Sequence, residues 1–193
     1  MENLSEKDFN LSKVKLIPTG GVKVNYQITQ AVDGEISVID RNETCDRCVH
    51  PDLTGLFEDL RIIVARVFNV TAFLSFLESP EMKLPDAKKA LAREFADGLI
   101  EKIDVRGVAW SGSGENVGVV VTAVMETPNG LKAVVNTPRI KLAQISFGFE
   151  EELEAITDAI KAEIYAYLFE GKQAQLSLFG GTMEPESESD GQD

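Results

Sequence analysis

Val22-Lys23-Val24-Asn25-Tyr26-Gln27-Ile28-Thr29 decides the fold class. Apolar and polar residues alternate with a period of two, the spacing that gives a strand one buried and one wet face. Asp33-Gly34 follows as a tight-turn signal. Glu35 to Asp40, with Ile36, Val38 and Ile39, reads as the second arm of a hairpin. Upstream, Val14, Leu16 and Ile17 form an extended segment that breaks at Pro18-Thr19-Gly20-Gly21. Residues 1–12 are polar and read as a flexible N-terminus.

Working outward from the hairpin, Arg41 to His50 reads as a polar loop, and Pro51 sits where a first helical residue should. Leu53, Leu56, Phe57, Leu60, Ile63 and Val64 recur at steps of three and four, the clearest helix in the chain. Thr71 to Glu78 and Asp86 to Asp97 are expected to add short helices around the breaks at Pro80 and Pro85. Lys102–Ser111, Val117–Glu126 and Leu131–Thr137 read as three strands, the last two joined by Thr127-Pro128-Asn129-Gly130. A long helix begins near Phe149, with Glu150, Glu151 and Glu152 in its first turn, where the helix dipole favours acids. Gly171 is its expected stop.

The order is therefore ββ–helices–βββ–helix. Adjacent hairpins with segregated helices imply an α+β fold: a mostly antiparallel sheet of about five strands with helices packed on one face. The domain spans residues 13–171, and 172–193 reads as a disordered acidic tail. Its Glu, Ser, Asp and Gly cannot bury enough apolar surface to fold.

Composition narrows the function. The formal net charge is −13, and five acids with no base lie in the last twelve residues. Such a balance repels phosphate backbones, so no direct nucleic-acid binding is expected. An acidic domain that imitates DNA is a separate reading. The start of the chain has neither the basic nor the apolar region of a signal peptide, and no apolar run approaches the ~18 residues of a membrane span. A cytoplasmic protein is expected.

Cys45-Asp46-Arg47-Cys48-Val49-His50 has a spacing that can chelate zinc, and Cys45, Cys48 and His50 are weak candidate ligands. His50 is the sole histidine, so a fourth ligand would have to be Asp46 or come from another subunit. A redox pair and a plain loop with reduced thiols are the other readings, and a histidine capping the helix at Pro51 is the bland one for His50. Ser111 to Asn116 is glycine-rich without a Walker lysine. Nothing marks a nucleophile or a catalytic carboxylate pair. The expectation is a non-enzymatic protein with no cofactor and no catalytic residue.

Gln175-Leu176-Ser177-Leu178-Phe179 resembles the pentapeptide by which replication and repair proteins dock on the bacterial sliding clamp. The resemblance implies that Gln175 is a polar anchor, Leu176 an auxiliary contact, and Leu178 and Phe179 the plugs of an apolar pocket. More broadly, His50-Pro51-Asp52-Leu53, Gly107-Val108-Ala109-Trp110-Ser111 and Asn136-Thr137-Pro138 resemble small bacteriophage proteins of uncharacterised activity. Together these imply a phage-type accessory protein whose partner is the host clamp or another host protein.

Overall fold

A computed structural model describes residues 8–32, 35–68, 98, 100–126, 130–144 and 148–172. The chain forms β1 (Phe9–Leu16), β2 (Val22–Val32), β3 (Glu35–Cys45), α1 (Pro51–Val67), β4 (Ile103–Ser111), β5 (Gly118–Glu126), β6 (Lys132–Asn136), β7 (Ile140–Lys141) and α2 (Glu150–Tyr165). The strands make one sheet in the order β3-β2-β1-β4-β5-β6, with β7 beside β5 past the end of β6. Every pairing is antiparallel. The fold is α+β, and the sheet has seven strands where about five were expected.

The register explains the core. Val14 faces Val24 on one side and Val108 on the other, and Val108 faces Val121. All four are buried. Side chains alternate across a strand, so the same face of the sheet also carries Leu11, Tyr26 and Ile103. The apolar stripe of α1, with Leu53, Leu60 and Val64, packs against β4 and α2. From α2, Leu153, Ile160 and Ile164 close the layer. Further along the same helix Tyr165 meets Phe9 edge-on, so both helices lie on one face.

Two strands are longer than their sequence signals. Residues 9–12, read as part of a flexible N-terminus, form the first half of β1. A bulge between Leu11 and Lys13 breaks the alternation there, so Leu11 and Val14 are both buried although three residues apart. Arg41 to Cys45, read as loop, continues β3 in unbroken register with Tyr26 to Val22. This is an outermost strand, where polar Arg41 and Asn42 remain solvated and Glu43 accepts from the Tyr26 hydroxyl. The turn at Asp33-Gly34, the helices expected over 71–78 and 86–97, and the tail beyond Lys172 lie outside the described residues.

Candidate functional site

The chain leaves the described fold at a joint built from four elements. The turn between β1 and β2 lies against the end of β3, close enough that a Cβ on Gly21 would stand 2.0 Å from the Cys45 carbonyl oxygen. Val49 donates its backbone N–H to the Gly20 carbonyl (3.0 Å). His50 then caps α1, its Nδ1 accepting from the Asp52 N–H (3.3 Å) and lying 3.1 Å from Asp52 Oδ2. The end of α2 docks on the same loop. Buried Tyr167 donates its hydroxyl to the Arg47 carbonyl, and the Arg47 guanidinium sits 5.7 Å from the centre of that ring.

The last helical residues form a π-helical turn over Ala166–Glu170. Gly171 ends it in the left-handed region, at φ 77°, where the Lys172 N–H reaches back to the Ala166 carbonyl. Lys172 Nζ bonds both Asp52 Oδ2 (2.8 Å) and Glu163 Oε1 (2.7 Å). That contact, helped by His50, lowers the Asp52 carboxyl below its ordinary range and raises Lys172. The capped helix end and the two ion pairs fix the origin of the segment that follows.

Cys45 closes β3 and Cys48 lies three positions before the start of α1; both are free and half-buried. Burial, with Glu43 nearby, raises the Cys45 thiol. A reactive thiolate needs the opposite shift. Among the described residues, no three His, Cys, Asp or Glu side chains converge as metal ligands. His50 works as a helix cap, as its position before Pro51 suggests. Gln175, Leu176, Leu178 and Phe179 lie outside the described residues, three to seven positions past Lys172.

A second surface was not legible as a site in the sequence. The sheet face away from the helices carries Lys13, Lys15 and Lys23, all exposed, on two strands that hold no acid. Lys15 stands directly opposite Lys23, and Lys13 opposite Asn25. Like charges facing each other across a strand pair are destabilising. None of the three is in an ion pair among the described residues. Three other bases on or beside the sheet are engaged: Arg106 with Asp104, Lys132 with Glu126, and Arg139 with Ser111 and the Asn116 carbonyl. The polar alternation around Lys13, Lys15 and Lys23 shows that they avoid the core. Only the β1–β2 register shows that they are neighbours.

No family model, curated protein or solved structure matches this chain. Among the described residues, no helix is long and apolar enough to cross a membrane.

Proposed function

We propose that this chain is a non-enzymatic accessory protein of bacteriophage type that docks on the bacterial DNA sliding clamp and modulates replication or repair. Gln175 is the polar anchor, Leu176 an auxiliary contact, and Leu178 and Phe179 the pocket plugs. One observation supports this reading above the others. The helical run stops at Gly171 and Lys172 is tied to Asp52 and Glu163, so the pentapeptide begins just after a capped, anchored end. Burying Leu178 and Phe179 fully in a partner contributes roughly 1.5–3 kcal/mol each before ordering costs.

The test is affinity for a bacterial sliding clamp, comparing the whole protein with a Leu178→Ala, Phe179→Ala double variant. Micromolar or tighter binding that the variant loses supports docking. Failure of the intact protein on clamps from several bacteria removes the reading.

A second reading is a regulator or anti-defence protein that binds a host protein through its acidic domain, as a mimic of DNA. It draws on α2, whose sixteen residues hold six acids and one base, Lys161. Glu151 and Glu154 are exposed there. Capture of a DNA-binding host protein by both the intact chain and the double variant would favour it.

A further inference from the structure

We infer that the open lysine face of the sheet is the docking surface for the chain's own acidic end, Glu184 to Asp190. Lys13, Lys15 and Lys23 form a compact positive patch, without an ion pair among the described residues, in a chain of net charge −13. A like-charge pair directly across β1 and β2 costs stability unless an anion lies over it. The chain supplies one. Glu184, Glu186, Glu188 and Asp190 recur at every second residue with no base among them. In an extended segment those four carboxylates share one side, at a repeat of roughly 6.5–7 Å. Lys13 and Lys15, two apart on β1, leave the sheet at the same backbone repeat. Pro185 biases Glu184 towards the extended region.

Reach and direction also fit. Lys172 is held at Asp52, beside the loop whose Val49 bonds Gly20 in the β1–β2 turn. Lys15 and Lys23 are among the last outward residues before that turn. Eleven residues separate Lys172 from Glu184, and the twelve steps between them cover at most about 40 Å when extended. Packed layers lie only ~10 Å apart, so the segment can round the end of the sheet. The open face carries Asn25, Gln27 and Thr122 in place of aromatic rings, which suits a peptide better than stacked bases. Docking there closes residues 173–183 into a loop and screens this basic patch from outside polyanions. It stands whether or not the pentapeptide within that loop meets a clamp.

Carbodiimide coupling of the full-length protein, read by mass spectrometry, tests this directly. At low salt, amide links are expected between residues 184–190 and Lys13, Lys15 or Lys23. They should fall about tenfold at 1 M NaCl, where charges are screened beyond ~3 Å. A mixture of 15N-labelled and unlabelled protein should give links within single chains only. Equal linkage to Lys102, Lys132 and Lys141, hybrid links between copies, or no links would each overturn the inference. So would firm retention of the intact protein on heparin at low salt, because the face would then be open. A Glu184→Gln, Glu186→Gln, Glu188→Gln, Asp190→Asn variant leaves the sheet intact. Its Lys13, Lys15 and Lys23 amide resonances should sit at the wild-type high-salt positions, and low-salt spectra identical to wild type would refute the contact.

Discussion

On one face of the sheet Val14, Val24 and Val121 are shut beneath two helices; one position along the chain, Lys15, Lys23 and Thr122 stand on the other face, which neither of the described helices covers. The same strands thus carry buried apolar side chains on one side and a row of lysines on the other. A strand's period of two makes this separation possible, because neighbouring residues share a backbone but no environment. The two sides should therefore respond to substitution independently.

The largest expected effect lies on the covered side. Ile160 of α2 is fully buried within the core. Ile160→Ala should cost about 2–5 kcal/mol, from lost transfer energy and the cavity left behind. Val134, on the open face of β6, is 70% exposed, and Val134→Ala should stay within about 0.5 kcal/mol. Urea unfolding of both variants measures the difference. Equal losses would break the comparison, since they would require a cover over the open face that stabilises as much as the helices do.

A middle-sized effect sharpens where the covered side ends. Thr137 is buried just past β6 and clasps Val121 from both directions. Its N–H donates to the Val121 carbonyl, and its hydroxyl oxygen accepts from the Val121 N–H, each at 2.9 Å. Thr137→Val keeps the shape and removes the acceptor. The expected loss is about 1–3 kcal/mol, the cost of leaving a buried donor unsatisfied. Hydrogen exchange at the Val121 amide should accelerate with it, and unchanged exchange would mean that the hydroxyl is not the partner.

The covered side was legible in the sequence to the extent that its periodicity was uninterrupted. Val22, Val24, Tyr26 and Ile28 alternate without fault, and Leu53 to Val64 keep helical spacing, so both faces were assigned correctly. Phe149 and Gly171 bracket the last helical run as expected, because a dipole-matched acidic start and a glycine stop are local signals. Where periodicity fails, legibility fails. The bulge after Leu11 hid the start of β1, and the mostly polar run Arg41 to Cys45 hid the end of β3. Ile140 and Lys141 of β7 are too few to show a period. For the candidate sites the limit is different. The pentapeptide is a contiguous string and can be read directly. The lysine patch is an adjacency between two strands, and it exists only once their register is fixed.

The smallest effect tests the joint from which the tail departs. The contact from Lys172 holds the Asp52 carboxyl below its ordinary range. A carboxylate whose folded pKa is depressed contributes stability that is present above its unfolded pKa, about 3.9, and is lost as pH falls through the folded value. Lys172, raised by the same contact, contributes stability that is present below its unfolded pKa and lost as pH rises through the folded one. Lys172→Ala should return Asp52 towards the ordinary carboxylate range, leaving only the neighbouring His50 to lower it. It should also reduce the loss of stability on acidification below about pH 4. An NMR titration of the Asp52 carboxyl carbon in both proteins reads this directly. Both groups are solvent-exposed, so the change in overall stability should be slight while the change in the titration is clear. An unmoved titration would mean that Lys172 does not hold the start of the tail, and it would remove the anchored end that supports clamp docking through Gln175 to Phe179.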